Sequence, residues 1–160
     1  MNCFDVDICI RDEDKKWMID IGDNITEPNW TIRPYKLNQE EMKKISYLWK
    51  DLPVPNYAAI IMVPANTICK THVDDKAETV GERQRITAIN IPLQVHDQSK
   101  FQYMNEDTVI QMEKLNSAKC WRVDIPHRVD NSLSPFNRVV LSLSYVQTVK
   151  EIYEIYHTTK

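Results

Sequence analysis

Arg138-Val139-Val140-Leu141-Ser142-Leu143-Ser144-Tyr145 is the most strongly strand-like run in the C-terminal half of the chain. It closes a series. Read back from it, residues 120–123, 109–115, 101–104, 86–93, 67–73 and 57–63 each hold apolar or β-branched side chains over strand length, with short polar turns between them. His127 opens one more short extended piece between 120–123 and 138–146. Many short strands joined by Asn, Asp and Pro turns predict a mainly β protein, an antiparallel sandwich or jelly roll. The chain has only two glycines, Gly22 and Gly81, so turns fall to Asn, Asp and Pro. For the same reason neither G-x-x-x-x-G-K-[ST] nor G-x-G-x-x-G can be written, and Gly-rich nucleotide-binding loops are excluded.

Upstream of this series, residues 3–10 and 16–21 read as two strands with Arg11-Asp12-Glu13-Asp14 as their turn, an N-terminal hairpin. After Pro28 and Pro34, Asn38-Gln39-Glu40-Glu41-Met42 opens a helix, with Asn38 as its cap and Glu41 at the capping-box position. Both acids favour the positive end of the helix. Met42, Ile45, Leu48 and Trp49 form its apolar face, and Asp51-Leu52-Pro53-Val54-Pro55 ends it. Residues 148–156, with Ile152, Tyr153, Ile155 and Tyr156, suit either helix or strand and are taken as a short C-terminal helix.

At 160 residues the chain suits a single domain with its own core. A formal net charge of −3 gives no electrostatic case for nonspecific nucleic-acid binding. Cys3, Cys9, Cys69 and Cys120 lack C-x-x-C spacing and read as reduced thiols. The first residues, Met-Asn-Cys-Phe-Asp-Val-Asp, carry acids where a signal peptide has a basic segment, and no 18-residue apolar stretch occurs. The expectation is a cytoplasmic protein with no membrane partner.

Chemistry concentrates in Thr71-His72-Val73-Asp74-Asp75. On an extended strand residues i and i+2 share a face, so His72 and Asp74 can converge on one point. His127, in Pro126-His127-Arg128-Val129, is the best third partner. Two histidines and a carboxylate form the facial triad that leaves three positions open on non-haem Fe(II). Asp75 is the competing carboxylate, since a bent chain could present either. His-x-Asp alone is common on solvent faces; the four residues His72, Asp74, His127 and Arg138 together fit different parts of one mechanism. Arg138 opens an apolar strand, which is costly unless something pairs with it. Its planar fork matches a carboxylate; an exposed strand end is the plain alternative. Ser142 and Ser144 share its face by the period of two.

Four segments carry a resemblance: Thr71-His72-Val73-Asp74, Ile89-Asn90-Ile91-Pro92-Leu93, residues 121–132 from Trp121 through Pro126-His127-Arg128 to Asn131-Ser132, and Arg138-Val139-Val140-Leu141-Ser142-Leu143. In this order they resemble small Fe(II)/2-oxoglutarate-dependent oxygenases, and more particularly the aspartyl/asparaginyl beta-hydroxylase-like group. The resemblance implies a double-stranded β-helix, with 57–146 as its core, 1–56 as a hairpin and helix packing on it, and 147–160 as an extension. It implies that His72, Asp74 and His127 hold Fe(II), that Arg138 binds the distal carboxylate of 2-oxoglutarate, and that Asn90 and Ser142 line the cosubstrate pocket. The implied activity is hydroxylation of an unactivated C–H bond in an unidentified substrate, a protein side chain such as Asp or Asn or a small molecule.

Two alternatives stand beside this: a cupin-type dioxygenase or isomerase that does not use 2-oxoglutarate, and a non-catalytic β-helix binding module. Trp121 reads as core. Asp124 and Asn131 read either as orienters of the His127 ring or as turn residues. Arg83, Arg85 and Lys76 flank the mouth, either to meet an anionic substrate or as an ordinary solvated loop.

Overall fold

The computed structural model describes residues 1, 3–26, 33–74, 79–80, 83–104, 109–112 and 114–160. Twelve strands form within them: β1 (Cys3–Val6), β2 (Arg33–Lys36), β3 (Tyr57–Val63), β4 (Thr67–Ile68), β5 (Thr79–Val80), β6 (Arg83–Gln84), β7 (Thr87–Gln94), β8 (Lys100–Tyr103), β9 (Val109–Met112), β10 (Ala118–Arg122), β11 (His127–Asn131) and β12 (Arg138–Tyr145). The larger sheet has the order β1-β10-β7-β12-β3-β2, the smaller β4-β11-β8-β9, and β5 and β6 pair as a separate hairpin. All the ladders are antiparallel. This is the jelly roll of a double-stranded β-helix.

The larger sheet separates two apolar clusters. Val139, Leu141, Leu143 and Tyr145 of β12 point outward into one cluster with Ile89 and Ile91 of β7 and the helices. Val63, Ala88 and Trp121 point inward, where they meet Phe101, Tyr103 and Val129 of the smaller sheet. Directly opposed residues on antiparallel strands share a face, so the inward row of β12 is Arg138, Val140, Ser142 and Ser144, set against Val63, Ile61, Ala59 and Tyr57 of β3. Pro92 is accommodated inside β7 because the β10 ladder stops at Asn90 and the β12 ladder shifts register beside it. Asn66 and Asn116 take positive φ, 54° and 61°, as expected of a chain short of glycine.

The N-terminus departs from the sequence reading. Residues 16–21 are not a strand but the middle of helix α1 (Asp12–Asp23), so there is no hairpin. The buried stripe of α1 is Asp14, Met18 and Gly22, spaced four apart. A carboxylate and a glycine hid that stripe from any hydrophobic count. Asp14 is satisfied inside by Trp17 Nε1 (3.0 Å) and by Tyr47 Oη (2.7 Å), both donating to its carboxylate. Asp12, Glu13 and Asp14 sit in the first turn, where the helix dipole favours them.

Gly22 lets α1 approach β12: a Cβ there would stand 2.6 Å and 3.0 Å from the two γ-carbons of Val139. Gly22→Ala is therefore expected to lose about 1–2 kcal/mol, overpacking outweighing the gain in helix propensity. Urea unfolding should show a lower midpoint at unchanged slope.

The other helices follow their caps. Asn38 and Glu41 form the reciprocal box of α2 (Gln39–Lys44), which passes into a short 3-10 turn over Ser46–Trp49. Thr148 and Glu151 do the same for α3 (Val149–Thr158). The predicted strand over 67–73 pairs regularly only at Thr67–Ile68, and the chain beyond it is held by a bond from Cys69 and an isolated bridge at His72. The four cysteines are free thiols. Among the described residues no helix is long and apolar enough to cross a membrane.

Candidate metal centre

His127 opens β11, and its main chain forms a two-bond bridge with His72: each N–H donates to the other's carbonyl at 3.0 Å. The bridge fixes the two imidazoles as neighbours, 4.4 Å between ring centroids. His72 Nδ1 lies 2.8 Å from Lys70 O, and His127 Nδ1 lies 2.8 Å from Ile125 O. A carbonyl only accepts, so each Nδ1 carries a proton and each Nε2 faces the interior, offering a lone pair whenever its ring is neutral. Phe101 stacks on the His127 ring at 5.2 Å and limits its rotation.

The third member arrives by the same kind of backbone logic. Asp74 N–H donates to Val123 O (3.0 Å), and Val123 N–H donates to Ile86 O (2.9 Å). Asp74 Oδ1 then lies 3.3 Å from His72 Nε2 and Oδ2 lies 3.8 Å from His127 Nε2. One ligand atom from each of the three residues falls within 4.8 Å of the others, a spacing that suits one ion. His127 is buried and the other two are partly covered. Asp75 and Lys76 lie outside the described residues, as does the side chain of Arg83.

The electrostatics are those of a carboxylate held ionised by the donors and cations around it. Burial alone would raise the Asp74 carboxyl, but the hydrogen bond from His72 and the charges of Arg85, His127 and His72 together hold it below the usual range. The Asp74 hydrogen bond raises His72 against the effect of its burial, whereas burial lowers His127 despite Asp74. In the metal-free protein the protonated His72 thus contributes stability below its unfolded value, lost as pH rises through its raised folded value. The Asp74 contribution has the opposite sense: it is present above the unfolded carboxyl value and lost as pH falls through the folded one. An NMR titration of the metal-free protein should show His72 taking its proton at higher pH than His127. In Asp74→Asn the His72 midpoint should fall.

Arg138 is not an exposed strand end: it is 1% exposed and, opposite Val63, faces the interior. Burial raises the Cys69 thiol, against the hydrogen bond from Val129 N–H and the charge of Arg138. Asn90 and Ser142 stand opposite each other on β7 and β12. Asn90 is buried and its Oδ1 has no hydrogen-bond partner among the described residues; the amide turned over would offer N–H instead. Ser142 Oγ accepts from Arg85 Nη2 at 3.3 Å.

Arg85 is the residue that the sequence reading placed at the mouth. It is 5% exposed and lies against Asp74 itself, Nη1 to Oδ2 at 3.3 Å. Its signal was available: an arginine two residues before an apolar strand invites the same question as Arg138. Trp121 is core, stacked on Phe101 at 4.2 Å. Asp124 accepts from Arg122, and Asn131 ties Ser99 to the carbonyls of Val63, Pro64 and Phe136, so the carbonyl of Ile125 is what orients His127.

No family model matches the chain, and no curated protein matches it in sequence. Solved structures do resemble it. A viral collagen prolyl hydroxylase from Paramecium Bursaria Chlorella virus-1, in its 2OG complex, aligns over 90% of this chain and 95% of its own at 8% identity, with a TM-score of 0.61. A prolyl-4-hydroxylase from Pseudomonas putida aligns over 88% and 90% at 10% identity, with a TM-score of 0.56. HygX from Streptomyces hygroscopicus, with nickel and 2-oxoglutarate bound, aligns over 89% and 81% at 8% identity, also at 0.56. At such identities the likeness is one of fold.

Proposed function

We propose that this chain is an Fe(II)- and 2-oxoglutarate-dependent hydroxylase. The observation that carries the reading is the convergence of His72, Asp74 and His127, with both Nδ1 atoms tied to carbonyls and both Nε2 atoms turned toward one carboxylate. That donor set fits a divalent iron with open positions. The solved structures of similar fold include ones described as 2-oxoglutarate complexes and hydroxylases, which agrees with it.

His72, Asp74 and His127 would hold the metal, and Arg138 would anchor the far carboxylate of the cosubstrate by its fork. Asn90 and Ser142 would present an amide and a hydroxyl along the same wall. Bound iron and 2-oxoglutarate supply the oxidising power against an unactivated C–H bond that side chains lack. The chain's own part is orientation and exclusion of water. Phe101 and Trp121 wall the His127 side with stacked rings, and the two carbonyl bonds fix both imidazoles before metal arrives. The narrower likeness to aspartyl/asparaginyl hydroxylases rests on the order of the sequence motifs, and an Asp or Asn side chain is the substrate it suggests. Residues 1–160 would work as one oxygenase-like unit, in a reducing compartment such as the cytoplasm given four free thiols.

The test is direct. Protein loaded anaerobically with Fe(II) and 2-oxoglutarate should develop a visible metal-to-ligand charge-transfer band and, on admission of air, release succinate even without substrate. Absence of both sinks the reading; a cupin that ignores 2-oxoglutarate would bind metal and give neither.

A further inference from the structure

The side chains of Asp74 and Arg85 meet across the segment they bracket. Main-chain bonds close the foot of that segment at Val123, which accepts from Asp74 and donates to Ile86. The salt bridge closes it a second time, Arg85 Nη1 to Asp74 Oδ2 at 3.3 Å. The guanidinium is itself seated on the sheet, Nη1 donating to Tyr57 Oη (3.4 Å) and Nη2 to Ser142 Oγ (3.3 Å). Tyr57 lies on β3 and Ser142 on β12, paired strands of the larger sheet. Arg85 therefore transmits the position of two rigid strands to one oxygen of the carboxylate.

Oδ1 stands 3.3 Å from His72 Nε2, whereas Oδ2, 3.8 Å from His127 Nε2, is the oxygen that Arg85 holds. We infer that Arg85 is a positioning residue that retains Oδ2 of Asp74 and so makes Asp74 a one-oxygen ligand. The inference rests on the metal reading above. Its functional consequence is a count: with two imidazoles and one oxygen, a six-coordinate ion keeps three open positions, whereas a two-oxygen carboxylate leaves two. A chelating cosubstrate occupies two. Arg85 thus preserves the position that a further reactant needs.

Manganese(II) reports this count without turnover, because water-proton relaxation measures the waters held on the bound ion. Saturated wild-type protein should hold three. Arg85→Gln and Arg85→Met both free Oδ2, and either should hold two, with relaxivity lower by about a third. Whichever variant retains the wild-type circular dichroism spectrum carries the test. An Asp74→Asn/Arg85→Gln double variant should return to three, since an amide offers a single oxygen; a general loosening of the pocket would not be reversed in this way. Three waters in the single variants, or two in the double variant, overturns the role of Arg85 while the metal reading stands. Failure of wild-type protein to take up manganese overturns both.

Discussion

An Arg138→Met variant should keep its metal and lose its cosubstrate. Arg138 faces the interior from the first residue of β12 and is 1% exposed, so its charge acts in a setting where water screens little. Removing one partner of a buried, hydrogen-bonded charge pair typically costs 2–5 kcal/mol. For 2-oxoglutarate this means a dissociation constant raised by roughly 30-fold to a few thousand-fold. Manganese affinity should change little, because the triad is positioned by bonds to Lys70, Val123 and Ile125, none of which involves Arg138. Methionine fills much of the volume of the arginine stem. The readout is the 2-oxoglutarate dependence of the charge-transfer band in the Fe(II) protein. Affinity within twofold of wild type would remove Arg138 from the site and favour the cupin alternative.

What the sequence made legible here is what local chemistry determines. β3 spans the residues expected of it, since seven consecutive apolar side chains suit a strand with both faces covered. α2 follows from its capping box, which is short-range and specific, whereas the box of α3 went unread and that helix was expected from its apolar residues alone. α1 was misread because its inward stripe is Asp14, Met18 and Gly22, one apolar residue among three. The buried carboxylate is legible only once Tyr47, from a distant segment, supplies its hydrogen bond.

The centre follows the same division. The convergence of His72, Asp74 and His127 was legible in residue type and spacing, but not as two residues of one regular strand. The segment carrying His72 leaves the ladder after Ile68, and an isolated bridge to His127 aligns it instead. Arg85 was read as a mouth residue or a solvated loop charge, and not as a neighbour of Asp74, because its partners come from three places in the chain: Asp74, Tyr57 and Ser142. Burial of an arginine is a property of the assembled sheet, and no window of sequence displays it.

His127→Ala should separate the metal centre from the fold. Its backbone bridge to His72 survives the substitution, so the strand pairing of β11 is retained. Loss of the ring stacked on Phe101 leaves a cavity, and the expected cost is about 1–3 kcal/mol in urea unfolding without metal. The effect on the metal should be far larger. Changing a residue that merely supports a ligand costs 10–100-fold in affinity, and this change removes one of three donors outright, so a loss beyond roughly 100-fold is expected, with no detectable succinate release. His72→Ala should lose metal to a similar extent at smaller structural cost, because that side chain is 31% exposed. A ligand held at a hundred times its dissociation constant stabilises its native state by about 2.7 kcal/mol. Added manganese should accordingly raise the melting temperature of wild-type protein and leave both variants unmoved. Wild-type manganese affinity in His127→Ala would mean that the ring is only a packing element, and the carboxylate would then need another partner to hold an ion.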